Sequence, residues 1–212
     1  QRLWYIRANE VLISSGSIER PLVFGNNDTP GVMLSSAAKE YMKVYGVLVG
    51  KKPLIFTNND SGYETAIEFK KNGVNPIILD TRSKPSSDII TEAKDLNIEI
   101  KFSYVVVAAK GYKKVKSADI AKISDDKKEL FNIENIECDC ICVSGFWTPS
   151  IHLASQSGNK SKFNEKIDAF VPDKSKQKEN TIGSANGIFT LEETIKDAFD
   201  KGFDVSNKIT EK

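Results

Sequence analysis

Polarity alternates from Trp4 to Ala8, and an apolar run at Glu10-Val11-Leu12-Ile13 follows, closed by Ser14-Ser15-Gly16-Ser17. This predicts two strands and a tight turn, since strand side chains alternate between faces and small residues end the run. Asn26-Asn27-Asp28-Thr29-Pro30-Gly31 is a dense group of turn formers. Ala37, Ala38, Tyr41, Met42 and Tyr45 then recur at helical spacing, which predicts a helix from about Ser35 to Tyr45 with Gly46 as its stop.

The clearest unit begins at Lys51-Lys52-Pro53. Leu54 to Thr57 reads as a buried strand, Asn58 to Gly62 as a turn, Tyr63 to Lys71 as a helix ended by Asn72-Gly73, and Pro76 to Asp80 as a second strand. A strand–helix–strand unit of about 28 residues with an acid closing its second strand has the layout of dinucleotide folds, with a right-handed crossover. A helix from Ser87 to Leu96 follows, then strands at Ile98–Phe102, Tyr104–Ala109 and Val115–Ile123. The last two are expected to pair as a meander across Lys110-Gly111-Tyr112-Lys113-Lys114. Cys138 to Val143 gives one more strand, ending at Ser144-Gly145. The lysine-rich stretch Ser155 to Asn180 reads as a hairpin and loops around Ala169-Phe170-Val171-Pro172. A strand at Thr181 runs into a small-residue turn through Gly187. The closing helix is expected from about Thr190 to Lys201, with Thr190 as N-cap and Glu192 and Glu193 at the positive end of its dipole.

Composition narrows the partners. The 212 residues are 40% hydrophobic, enough for one large or two small cored domains. Thirty basic against 29 acidic side chains leave a net charge of +1, so no general field draws the chain to nucleic acid or a membrane surface. No apolar run reaches the ~18–20 residues of a membrane span and the start lacks a secretory pattern, so the chain reads as cytoplasmic. The first residue is Gln, and the first segment reads as a strand continuing from something earlier; an internal piece of a longer polypeptide is expected. Cys138, Cys140 and Cys142 alternate along one predicted strand, so all three thiols should share a face. A zinc site needs more ligands and a turn between them, and the chain has one histidine. Buried, reduced thiols fit, with no metal.

Three turns carry candidate chemistry. Ser14-Ser15-Gly16 lets a backbone approach a nucleotide closely, though an ordinary turn also fits. Thr57-Asn58-Asn59-Asp60-Ser61-Gly62 stands where a Rossmann unit carries its glycine-rich phosphate turn, but Gly62 is its one glycine. Side-chain bulk and the Asp60 charge disfavour a pyrophosphate there. Asp60 reads instead as a helix N-cap, with Asn58 and Asn59 as residues tolerant of left-handed turn geometry. Gly183-Ser184-Ala185-Asn186-Gly187 precedes a helix, so it suits either a phosphate or ribose or close helix–sheet packing. His152 has no defensible nucleophile partner by spacing, and no catalytic residue is assigned.

Taken in order, several segments resemble one family, the alpha subunits of heterotetrameric sarcosine oxidases. They are Val11 to Phe24 (VLISSGSIERPLVF), Asn26 to Leu34 (NNDTPGVML), Phe56 to Tyr63 (FTNNDSGY), Val143 to Leu153 (VSGFWTPSIHL) and Gly183 to Gly187 (GSANG), spread over nearly the whole chain. The family usually has Ala-Thr-Gly-Ala where Ser14-Ser15-Gly16-Ser17 stands, and Gly-Gly-Trp where Gly145-Phe146-Trp147 stands.

The resemblance implies an α/β, FAD/NAD(P)-binding, Rossmann-like fold of the disulfide-reductase kind. Residues 1–47 and 148–212 would form an FAD-type domain and residues 48–147 an inserted NAD-type domain. It implies NAD in the FAD-type domain, FMN shared with the beta subunit, and FAD and tetrahydrofolate elsewhere in a complex with beta, gamma and delta subunits. That complex demethylates sarcosine to glycine, yielding hydrogen peroxide and methylenetetrahydrofolate. Carried over by position, the cofactor contacts are Ser15, Gly16, Ser184, Phe189 and Leu191, with Asn186 and Gly187 shaping the last turn. The first glycine turn and the folate domain would lie outside the chain, leaving it inactive alone. A related amine or opine dehydrogenase subunit and a non-catalytic scaffold are the competing readings.

Overall fold

The computed structural model describes residues 2–210. Residues 4–8 form no strand despite their alternation, and the first strands are β1 (Val11–Ile13) and β2 (Ser17–Glu19). β3 (Val32–Leu34) runs straight into α1 (Ser35–Tyr45). Gly46 ends that helix at φ 65°, donating its amide to the Tyr41 carbonyl, a left-handed stop that glycine adopts without strain. β4 (Pro53–Thr57), α2 (Ser61–Lys71) and β5 (Ile77–Asp80) make the expected strand–helix–strand unit, and α3 (Asp88–Asp95) with β6 (Glu99–Phe102) extends it. β7 (Tyr104–Lys110), β8 (Ser117–Ile123), β9 (Leu130–Glu137) and β10 (Cys140–Ser144) follow. Then come β11 (Trp147–Pro149), α4 (His152–Gln156), β12 (Ser161–Asn164), β13 (Ala169–Pro172), β14 (Glu179–Thr181), a 3-10 turn (Gly183–Asn186) and α5 (Leu191–Thr210).

The chain divides into two compact units, and the larger runs from Glu19 to Phe146. Its centre is a five-stranded parallel sheet in the order β3-β10-β4-β5-β6. Every residue of β4 and β10 is buried, as parallel strands covered on both faces require. Alternate side chains feed two cores. Ile55, Ile78, Cys140 and Cys142 pack with Ala38, Tyr63, Phe69 and Ile90 of the helical layer. Leu54, Phe56, Leu79, Ile141 and Val143 pack with Val106, Ala118 and Ile120 of the antiparallel β7-β8-β9 meander. Each fully buried Leu, Ile or Phe contributes about 1.5–3 kcal/mol by leaving water.

This unit begins well before residue 48, where the sequence places its start. Val32, Met33 and Leu34 pair in parallel with Ile141, Cys142 and Val143, so β3 and α1 belong to the sheet. The reason is long-range: β10 pairs with β4 on one side and β3 on the other, and neither pairing is a local signal. The three thiols also part company. Cys138 precedes β10 and joins the meander-side core, opposite Cys140 and Cys142. The alternation breaks at Asp139, whose carboxylate leaves the strand pattern to accept the Lys51 and Lys52 amides at 2.8 Å each.

All three cysteines are free and buried. Burial pushes the Cys138 thiol up to about 12, and a hydrogen bond with Cys140, reinforced by burial, raises Cys142. The unfolded chain releases the Cys138 proton near its ordinary value of 9.0 while the folded unit keeps it, so stability falls as pH rises above that value. Urea unfolding at pH 8 and pH 10 is expected to show a larger loss for the parent chain than for Cys138→Ala; equal losses would contradict this origin.

The smaller unit comprises residues up to Ile18 and those from Trp147 onward. β1 and β14 pair in parallel, Val11 opposite Glu179 and Ile13 opposite Thr181. β12 and β13 form the expected hairpin, with Phe163 and Phe170 opposed and their rings edge-on, centroids 5.3 Å apart. α5 runs past its expected end at Lys201 to Thr210. Gly202 does not stop it because Phe199 and Phe203 continue the four-residue apolar spacing across the glycine, and helix-interior glycine costs only about 1 kcal/mol.

Candidate functional site

Within the smaller unit, the register of β1 and β14 places their carboxyl ends side by side, and Ile182 N–H donates to the Ile13 carbonyl at 2.9 Å. The Ser14–Gly16 turn and the Gly183–Gly187 segment therefore leave the same edge of this parallel pair. Carboxyl ends of parallel strands are where open α/β sheets bind ligands. Ser15 is exposed, and its hydroxyl donates to the Ser150 carbonyl at 2.6 Å. Ser150 N–H returns a bond to the Gly16 carbonyl at 2.9 Å. Gly16 has φ 76° with open space around its missing side chain, so its glycine serves backbone conformation alone.

The second turn is more crowded. Ser184 and Asn186 are half-buried in the 3-10 turn around the fully buried Ala185. Gly187 follows at φ 81°, and a Cβ there would lie 2.9 Å from Ile167 and Val171. Phe189 is half-buried and Leu191, 75% exposed, begins α5. Thr190 caps α5 as expected: Glu193 N–H donates to its Oγ1 at 3.4 Å, and that hydroxyl donates to the Glu193 carboxylate at 2.6 Å. Gly183 N–H is already taken by the Asp197 carboxylate at 2.8 Å. The adjoining cleft of about 450 Å³ is lined by Gly187, Ile188, Glu193, Lys196, Asp197 and Asp200. Its three carboxylates suit hydroxyl donors such as ribose and repel phosphate.

The turn after β4 in the larger unit is filled by its own side chains. Asn59 is buried; its amide nitrogen donates to the Ser144 carbonyl and hydroxyl at 3.0 and 3.2 Å, and its oxygen accepts Ser61 N–H at 2.9 Å. Asp60 occupies the N-cap position of α2 as expected but makes no side-chain cap bond, pairing with Arg82 at 2.8 Å instead, while Asn59 takes the Ser61 N–H. Neither asparagine uses the left-handed conformation it would tolerate; their side chains bond within the turn instead. Asp80, the acid ending β5, is fully buried and accepts Tyr63 O–H at 2.7 Å and Arg82 Nη2–H at 2.8 Å. Burial, then the bond to Asp80, raises the Tyr63 phenol. Burial draws Arg82 down, but its bonds to Asp80 and Asp60 outweigh this and hold it above its ordinary value. The Asp80–Tyr63–Arg82–Asp60 network was missed from sequence; the Asp-Thr-Arg spacing was its one visible sign.

Phe146, at a position where the family resemblance implies glycine, adopts a positive φ of 80°. Its carbonyl accepts Arg20 N–H at 2.8 Å, and Gly145 N–H donates to the Arg20 carbonyl at 2.7 Å. These bonds hold a conformation that costs a non-glycine residue about 1–2 kcal/mol. His152 is exposed at the start of α4. Among the described residues no group of three or more His, Cys, Asp or Glu is placed to hold a metal, and no helix is long and apolar enough to cross a membrane.

No protein-family model matches the chain. Its sequence is similar to the sarcosine oxidase alpha subunit of Corynebacterium sp. (strain P-1), 33% identical over 191 residues, which is 89% of this chain and 20% of that protein. The Rhizobium meliloti (strain 1021) sarcosine oxidase alpha subunit is 36% identical over 172 residues, 81% of this chain and 16% of the relative. The chain thus spans about a fifth of the length of these relatives. Among solved structures, T. acidophilum thioredoxin reductase superposes with a TM-score of 0.71 at 20% identity, covering 90% of this chain and 62% of its own. Lactococcus lactis thioredoxin reductase gives 0.72 at 15% identity, covering 96% and 67%. The fold is Rossmann-like α/β of the FAD/NAD(P)-binding disulfide-reductase kind.

Proposed function

We propose that this segment, similar along most of its length to sarcosine oxidase alpha subunits, is the cofactor-supporting middle of such a subunit and supplies part of an NAD site. The observation that carries the reading is the β1–β14 register, which sets the Ser15–Gly16 and Ser184–Leu191 turns at one carboxyl edge. Ser15, Gly16, Ser184, Phe189 and Leu191 then face the nucleotide, while Asn186 and Gly187 shape the turn. The carboxylate-lined cleft beside Gly187 favours the sugar end of NAD over its pyrophosphate. The β4–α2 turn of the larger unit holds no pyrophosphate, since Asn59 fills it.

In the whole protein this part supports an oxidoreductase that demethylates sarcosine to glycine, with hydrogen peroxide and methylenetetrahydrofolate as products. FAD, FMN and tetrahydrofolate are held by other parts of a cytoplasmic complex with beta, gamma and delta subunits. The fold binds FAD and NAD(P) when complete; no catalytic residue is assigned to this chain.

Calorimetric titration with NAD tests the reading. The 212-residue chain is expected to give no micromolar binding because part of the site lies outside it, whereas the full-length subunit binds. Gly187→Val in that subunit is expected to weaken NAD at least about tenfold, since φ 81° and the 2.9 Å approaches to Ile167 and Val171 exclude a branched side chain. Unchanged affinity, or micromolar binding by the 212-residue chain, would overturn it.

A further inference from the structure

A cleft of about 380 Å³ lies wholly within the larger unit, where the chain leaves β5 and β6 and turns from β8 to β9. Small ligands occupy cavities of about 300–1,000 Å³, and open α/β sheets bind them at the carboxyl ends of their strands. Backbone bonds fix the walls: Ser103 N–H donates to the Arg82 carbonyl at 3.1 Å, and Ile123 N–H donates to the Ser103 carbonyl at 2.8 Å. Asp80 and Asp60 hold Arg82 by Nε and Nη2, which leaves Nη1 without an acceptor among the described residues. Lys84 and Lys127 line the cleft and are exposed, and neither has an acidic partner among the described residues. Ser103 also lines it. That residue is 9% exposed, yet its hydroxyl bonds to no group among the described residues. Buried hydroxyls are normally bonded, so Ser103 calls for an acceptor from outside the chain. Asp125 sets one carboxylate among these donors.

We infer that this cleft binds a small phosphate monoester that also carries hydroxyl groups, the chemistry of a sugar phosphate. The phosphate oxygens accept from Lys84, Lys127, Ser103 and Arg82 Nη1, and Asp125 accepts from the hydroxyls. The same carboxylate disfavours a more highly charged anion such as pyrophosphate, because like charges repel. The β4–α2 turn contributes nothing, since Asn59 fills it. The ligand is therefore bound on its own and not as one end of a dinucleotide, and the inference does not rest on the NAD reading.

Calorimetry on the full-length subunit tests it, with ribose 5-phosphate as the probe and ribose and inorganic pyrophosphate as comparisons. Ribose 5-phosphate is expected to bind with a Kd below about 1 mM, and the two comparisons at least about tenfold more weakly. Lys84→Ala with Lys127→Ala should weaken ribose 5-phosphate at least about tenfold, and Ser103→Ala at least about threefold. Lys113→Ala with Lys114→Ala, an exposed pair outside the cleft, should change nothing. Absence of binding to the parent subunit overturns the inference. So does an equal loss from the two lysine pairs, which is a general charge effect. Displacement of ribose 5-phosphate by NAD also overturns it, since the sugar phosphate then sits in the nucleotide site. Binding unaffected by NAD supports it, and does so even in a subunit that binds no NAD.

Discussion

Asp80→Ala is expected to destabilise the Glu19–Phe146 unit by about 3 kcal/mol, the lower end of the range for breaking a buried ion pair. Asp80 is 0% exposed at the end of β5, and four donors meet its carboxylate: Tyr63 O–H at 2.7 Å, Arg82 Nη2–H at 2.8 Å, Arg82 N–H at 2.9 Å and Arg82 Nε–H at 3.0 Å. Removing it strands the buried Tyr63 hydroxyl, which alone costs about 1–3 kcal/mol. The loss stays at the low end because Arg82 is 31% exposed and keeps Asp60 as a partner. Arg82→Ala is the harsher change for the carboxylate, which would keep the phenol and the backbone N–H of residue 82 but lose its countercharge in a dry site. Urea unfolding of Asp80→Ala, Tyr63→Phe and the double variant gives the coupling between phenol and carboxylate. A loss below about 1 kcal/mol for Asp80→Ala would mean that water reaches this carboxylate.

The same network shows where the sequence stops being informative. α1 is legible to the residue because its apolar spacing and Gly46 are local signals, and β4, β5, α3 and the β12–β13 hairpin follow for the same reason. β9 escaped notice because nearly all its side chains are exposed, so no buried stripe marks it. It also meets β8 through a register shift at Ile120/Lys122 that breaks any simple alternation. The acid ending β5 stands where dinucleotide folds carry one, yet the structure spends it on Tyr63 and Arg82, partners that only the fold brings together. Ser15 and Gly187 are each unremarkable small residues in a turn. That their turns leave one edge depends on β1 pairing with β14 at the far end of the chain, which no local pattern encodes; the family resemblance brought them forward instead.

Gly62→Ala is expected to cost about 2–3 kcal/mol, and the reason bears on what the β4–α2 turn has become. In a dinucleotide turn, separate glycines serve the bend, the approach of the pyrophosphate and the packing of helix on strand. Here Asn58, Asn59 and Asp60 have replaced backbone freedom with side-chain bonds, and Gly62 answers only to packing. A Cβ on Gly62 would lie 2.7 Å from both Cβ and Oγ1 of Thr57. Thr57 cannot swing away, since its hydroxyl donates to the Asn59 carbonyl at 2.8 Å and accepts Asn59 N–H at 3.1 Å. α2 must therefore lift from β4, opening a fully buried layer around Tyr63 and Ala66, and such overpacking typically costs 1–3 kcal/mol. The clash belongs to one pair of residues, so Thr57→Ala should absorb part of it: Gly62→Ala is expected to cost less in the Thr57→Ala background than in the parent chain. Additive losses would place the strain elsewhere. If instead Gly62→Ala left stability intact while abolishing dinucleotide binding to the full-length subunit, the glycine would be serving a nucleotide, and the occupied turn described above would be the wrong account of it.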